Sequence, residues 1–132
     1  MLRILIADDH AIVRQGLKQI LADTPDMVVA GEASNGQEAL NGVLKNHYDV
    51  VCLDISMPGK SGLDVLKELR SQNHKFPVLV LSMHPEEQYA IRVLRAGGSG
   101  YVTKESAPDE LIAAIKSYKK ISQNLTRKSD LR

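Results

Sequence analysis

The chain has 132 residues, of which 43% are hydrophobic and 25% charged, with a net charge of +1 at neutral pH. That length suits one domain with a sizeable core, and the near-neutral balance leaves no basic footprint for nucleic acid. No 18-residue apolar run and no signal peptide appear, so the expectation is a cytoplasmic protein without a membrane segment.

Short apolar runs alternate with segments of helical period. A first strand is expected over 2–7, ending in Asp8 and Asp9. Val13, Leu17, Ile20 and Leu21 then recur at helical spacing. A second strand over 27–31 runs into Glu32. Asn35 and Glu38 form a capping-box pattern ahead of the stripe Ala39, Leu40, Val43, Leu44. A third strand over 50–53 holds the only cysteine, Cys52, which reads as a buried, inert thiol. Leu63, Leu66 and Leu69 mark a third helix, and 78–81 a fourth strand. Pro85 suits a helix start, followed by a less regular stripe of Ile91, Leu94 and Arg95. The glycines of "AGGSG" suit a tight turn before a short fifth strand over 100–102. Ser106, Asp109 and Pro108 then open a helix carrying Leu111, Ile112 and Ile115. After Tyr118 the pattern fades. The basic tail "KKISQNLTRKSDLR" carries no assigned function, so a domain over 1–119 and a tail or linker stub over 120–132 are expected.

Strict alternation of strand and helix argues for a parallel sheet covered on both faces, with right-handed crossovers. The first, third and fourth strands are almost wholly apolar and belong in the middle. This favours a flavodoxin-like α/β fold of order 2-1-3-4-5 with five helices. In such a sheet, ligands bind beyond the carboxyl ends of the strands. Asp8, Asp9, Asp54, Ser82 and Lys104 all follow strands and would meet at that edge. Clustered carboxylates are costly unless protonated or bound to a cation. Oxygen donors with neither imidazole nor thiolate favour Mg2+, with Mn2+ or Ca2+ as alternatives. Such a site, with an ammonium and a hydroxyl nearby, suits phosphoryl transfer to a carboxylate nucleophile. Each residue alone has a plainer reading. Asp8 or Asp9 serves as a helix cap, Asp54 as a turn residue before Met57-Pro58-Gly59, Lys104 as a solvated lysine and Tyr101 as a core ring. His10, His47 and His74 show no zinc spacing, and His84 reads as a helix-start residue.

"ADDH", "LDISMPGKSGLD", "VLVLSMH" and "AGGSGYVTK" occur in an order and spacing that resembles the receiver domain of bacterial two-component response regulators. With "SAPDEL", the chain is most similar to the subfamily whose receivers precede a LuxR-type helix-turn-helix domain. The resemblance implies a phosphorylation-controlled signalling domain rather than an enzyme. It makes Asp54 the phospho-acceptor for a sensor histidine kinase. It makes Asp8, Asp9, Asp54 and the Ser56 backbone carbonyl the metal ligands, Lys104 the partner of the acyl phosphate, and Ser82 with Tyr101 the switch pair. It also implies a DNA-binding output domain in a longer parent protein and a capacity to form homodimers, with no nucleic-acid contact by this chain itself.

Three departures stand out. Glu105 replaces the proline that commonly follows the lysine. Gly98 stands where many relatives have alanine, an expected loosening of that turn. Met83 is bulkier than usual and is expected to narrow access to Asp54. Competing classes fit less well. A stand-alone receiver acting through protein contacts is one alternative. An aspartyl-phosphate phosphatase of the haloacid-dehalogenase type needs a second aspartate where Ser56 stands. A flavin or nucleotide carrier lacks a phosphate loop here.

Overall fold

Six residues of the first apolar run, Leu2–Ala7, form β1, the strand from which the sheet grows in both directions. The computed structural model describes residues 1–83 and 86–117. His84, Pro85, Tyr118 and the tail over 120–132 lie outside them. The remaining elements are α1 (Ala11–Ala22), β2 (Met27–Ala33), α2 (Gly36–Lys45), β3 (Val50–Asp54), α3 (Gly62–Ser71), β4 (Val78–Ser82), α4 (Glu86–Arg95) and β5 (Gly100–Thr103). A fifth helix, α5, occupies 107–117. All strands are parallel, in the order β2-β1-β3-β4-β5.

Every residue of β3 and β4 is buried, as expected of central strands covered on both faces. Successive side chains alternate between two cores. Ile4, Ile6, Cys52, Leu79 and Leu81 face α1 and α5 and pack on Leu17, Leu21, Leu111 and Ile115. Leu5, Val51, Leu53 and Val80 face the other way, onto Leu40 of α2, Leu66 of α3 and Val93 of α4. No helix among the described residues is long and apolar enough to cross a membrane.

The structure corrects several local readings. β2 extends two residues further than expected, through Glu32 to Ala33, and contains a bulge: Ile4 pairs Val29 but Leu5 pairs Gly31, leaving Ala30 unmatched. Leu44 on α2 and Ile91 and Leu94 on α4 are exposed. The inward side is instead Tyr89 and the buried Val93 of α4, with Ala96 just beyond its end, spaced four and three apart. Asn35 caps α2 by accepting from the Glu38 N–H at 2.9 Å, but the Glu38 carboxylate turns to the Ser34 hydroxyl rather than to Asn35. The full capping box is at α3, between Ser61 and Asp64, a pattern the sequence reading passed over. At α5 the Asp109 N–H is taken by the Ser106 carbonyl, while the Ser106 hydroxyl accepts from Thr103.

α4 ends in a left-handed glycine, Gly97 (φ 98°), with Gly97 N–H to the Leu94 carbonyl and Gly98 N–H to the Val93 carbonyl. This is a Schellman closure. Gly98 does not loosen it. A Cβ at Gly98 would lie 2.4 Å from Val93 Cγ1 and 3.0 Å from the Val93 carbonyl oxygen, so the missing side chain permits close packing. Arg70 reinforces the corner: its guanidinium donates to the carbonyls of Gly97, His74 and Phe76.

Candidate phosphoryl-transfer site

The residues at the carboxyl ends of β1, β3, β4 and β5 share one edge of the sheet, and backbone hydrogen bonds there hold the strand ends. The Asp8 N–H donates to the Ala33 carbonyl at 3.0 Å, Ile55 N–H to Leu81 at 3.0 Å, and Lys104 N–H to Ser82 at 2.7 Å. The last of these fixes where the lysine side chain leaves β5.

Lys104 reaches back across the edge. Its Nζ lies 2.7 Å from Asp8 Oδ2 and 3.2 Å from Asp54 Oδ2. All three side chains are withdrawn from solvent: Lys104 is 9% exposed, Asp54 2% and Asp8 0%. Burial pushes the Asp54 carboxyl above the usual carboxylate range, and the charge of Asp8 adds to this, against the opposing Ser56 N–H and Lys104 ammonium. Burial alone would lower the Lys104 ammonium. Its contacts with Asp8 and Asp54 together outweigh burial and hold it above the ordinary lysine value. Asp54 Oδ1 accepts from the Ser56 N–H at 3.2 Å, so the backbone amide two residues on orients the carboxylate.

Asp8 and Asp9 do not cap α1. The cap residue is His10, whose side chain makes no capping bond, and the first turn contains no acid. The acids are therefore left for the site. Asp8 Oδ2, Asp9 Oδ1 and Asp54 Oδ2 are buried without an aligned hydrogen-bond donor. Lys104 faces the first and third, and the His10 ring faces the second, at ion-pair distance only. Three carboxylates against one ammonium leave excess negative charge in a buried place, a donor set that fits a hard divalent cation. His10 completes a cluster in which one ligand atom from each of Asp8, Asp9, His10 and Asp54 lies within 4.8 Å of the others. An imidazole is thus present where an oxygen-only set was expected. Spacing rules missed it because the histidine adjoins the acids in one turn instead of standing at a zinc-like interval.

Arg14 was also missed. Its guanidinium donates to the Asp8 carbonyl at 2.5 Å and faces Glu32 at 3.4 Å, joining α1 and β2 to the backbone of the acid pair. Ser82, at the end of β4, is fully buried. Tyr101 pairs in register with Val80 and packs partly buried against the core that contains Val93. Met83, the residue after Ser82, is exposed. Ser56 is exposed in the loop that follows Asp54.

Comparison with known proteins places this geometry. Residues 4–116 match the response regulator receiver domain family. The chain is 38% identical over 117 residues to the response regulator UvrY of Escherichia coli (strain K12), covering 89% of this chain and 54% of UvrY. It therefore spans about half the length of the curated relatives it matches. A two-component response regulator of the LuxR family from Aurantimonas sp. SI85-9A1 superposes with a TM-score of 0.84 at 31% identity, over 98% of each chain. RcsB from Salmonella enterica serovar Typhimurium, solved bound to promoter rprA with the phosphomimetic BeF3-, gives a TM-score of 0.82 at 28% identity, over 90% of this chain and 99% of that one. With strand order, edge cluster and matched residues in agreement, the chain belongs to the response regulator receiver family, in its LuxR-type branch.

Proposed function

We propose that this receiver accepts a phosphoryl group on Asp54 from a sensor histidine kinase and passes the change to an output domain. The observation that carries the proposal is the convergence of Lys104 on two buried carboxylates at the ends of β1 and β3. A carboxylate oxygen of Asp54 forms a bond to phosphorus as the P–N bond to the kinase histidine breaks, and the released imidazole nitrogen takes up a proton. Asp54 suits the attacking role because burial and Asp8 make it a stronger base than an exposed aspartate. Lys104 then exchanges carboxylate contacts for the new phosphoryl oxygens, a charge-assisted contact with little reorganisation. The carboxylates of Asp8, Asp9 and Asp54 and the Ser56 backbone carbonyl would hold Mg2+, or Mn2+ in its place. That ion supplies positive charge to offset the acids and polarise the phosphoryl oxygens.

Transmission runs through β4 and β5. Ser82 is drawn toward the phosphoryl group, and Tyr101, packed beside Val80 and Val93, turns into the space vacated. The exposed Ile91 and Leu94 of α4 lie on the face that would then change, suited to contact with a second copy or an output domain. The receiver unit occupies 1–119, a tail or linker stub covers 120–132, and the DNA-binding output domain belongs to a longer, cytoplasmic parent protein. The chain itself binds neither nucleic acid nor membrane. RcsB, solved on promoter DNA with a phosphomimetic, supports this reading of the parent protein.

Incubation with acetyl phosphate and Mg2+ tests the acceptor. Intact mass should rise by one phosphoryl group in the wild type and not in Asp54→Asn, which keeps the side-chain shape without the nucleophile. Modification of the Asn variant at the wild-type rate would place the acceptor elsewhere.

A further inference from the structure

His10 is at a helix N-cap but does no capping. Its backbone N–H donates to Asp8 Oδ1 at 2.8 Å, which fixes the residue beside the acids. Its ring then turns onto them, with Nδ1 3.3 Å from Asp8 Oδ1 and 3.1 Å from Asp9 Oδ1. Donors at about 2.1 Å around a six-coordinate ion lie about 3.0 Å apart when adjacent and about 4.2 Å apart when opposite. The two Nδ1 separations are those of adjacent donors. The 4.8 Å limit on the whole set, Asp54 included, is close to the opposite spacing. A second observation points the same way. Asp54 Oδ2, on a side chain 2% exposed, and Asp9 Oδ1, the atom the ring faces, are both buried without an aligned hydrogen-bond donor. Lys104 Nζ faces the Asp54 oxygen at 3.2 Å, whereas among the described residues it is the His10 imidazole, at 3.1 Å, that faces the Asp9 oxygen.

We infer that His10 is a nitrogen ligand of the metal centre, which therefore takes first-row ions such as Mn2+ and Co2+ through a directly bound imidazole, in addition to Mg2+ held by oxygen alone. The inference rests on the metal-binding reading given above. Hard Mg2+ gains little from imidazole, whereas affinity for nitrogen donors rises from Mn2+ toward Co2+. The His10 side chain is 65% exposed, so it can reorient toward an ion without disturbing the core. His10 thus sets which ions the centre discriminates between, a property the oxygen ligands alone do not provide.

Pulsed electron paramagnetic resonance of the untagged chain loaded with Mn2+ tests this without reference to phosphorylation. The wild type should show coupling to a directly bound 14N, and His10→Ala should lose that coupling while still holding Mn2+ through its carboxylates. Competition titrations should show Co2+ binding weakened about tenfold or more in His10→Ala, with Mg2+ binding unchanged to within about twofold. Mn2+ bound by the wild type without nitrogen coupling, or a coupling that persists in His10→Ala, overturns the assignment of His10 and leaves the carboxylate centre standing. A wild-type chain that binds neither Mn2+ nor Mg2+ refutes the centre, and the inference falls with it.

Discussion

Gly62, the first residue of α3, lets the helix begin directly against the end of the strand that carries Asp54. A Cβ at this position would lie 2.1 Å from the Asp54 carbonyl oxygen and 2.7 Å from Ile55 Cα. Both are backbone atoms, so no side-chain rotation relieves the contact. An ordinary carbon–oxygen contact is about 3.3 Å, so in Gly62→Ala the helix start and strand end must separate by roughly 1.2 Å. That stretches the bond from Gly62 N–H to the Ile55 carbonyl, 2.9 Å in the native fold, and moves Asp54, the proposed acceptor, relative to Lys104. Overpacking of this kind costs about 1–3 kcal/mol. A displacement near 1 Å at a reacting group lowers rate by about a hundredfold. Gly16→Ala is the control: it lies within α1 with nothing inside 4 Å of the added carbon, so it should gain about 0.5–1 kcal/mol and leave phosphorylation unchanged. Urea unfolding measures the first quantity, and the rate of mass gain with acetyl phosphate measures the second. A Gly62→Ala protein with the wild-type midpoint and rate would show that the α3–β3 contact does not position Asp54.

Three further expectations follow from the same geometry. Mg2+ at about a hundredfold excess over its dissociation constant should stabilise the fold by about 2.7 kcal/mol, near 10 °C in melting temperature for a chain of this size; Asp9→Ala should lose most of that gain, and an equal Mg2+ shift in both proteins would remove Asp9 from the ligand set. Beryllofluoride should alter hydrogen exchange over 86–117, with a smaller change in Ser82→Ala and a smaller one still in Lys104→Ala, which also loses the charge held against Asp8 and Asp54; wild-type changes in both variants would uncouple these residues from the α4–β5–α5 face. Cys52 is fully buried, and burial pushes its thiol up to about 12, so a thiol reagent at pH 8 should leave the folded protein unlabelled and label one site in urea; rapid labelling of the native state would contradict the burial.

The legible and illegible parts of this fold divide along a physical line. Strands β3 and β4 stand out as unbroken apolar runs because both of their faces are buried, and that property orders the sheet. Once the order is known, Asp8, Asp54, Ser82 and Lys104 must share an edge, since all four stand at the carboxyl ends of parallel strands. Helix faces carry less information. Ile91 and Leu94 look like a core stripe, yet the side that packs inward is the buried Val93 with the partly buried Tyr89, continued by Ala96 just past the helix end, because two apolar stripes on one helix do not say which of them meets the sheet. Short-range polar geometry carries least. Glu38 passes over Asn35 for Ser34, and His10 abandons its cap for the acids beside it. Each choice is decided by distances of a few tenths of an ångström between neighbours already adjacent in the chain, a scale on which sequence spacing is silent. The same rule explains why the convergence of the acids could be read from topology, whereas the atom that Lys104 approaches most closely, Asp8 Oδ2 at 2.7 Å and not Asp54 Oδ2 at 3.2 Å, had to be seen. That spacing bears on the proposed chemistry: the ammonium lies nearer to the Asp8 carboxylate than to that of Asp54, the proposed acceptor.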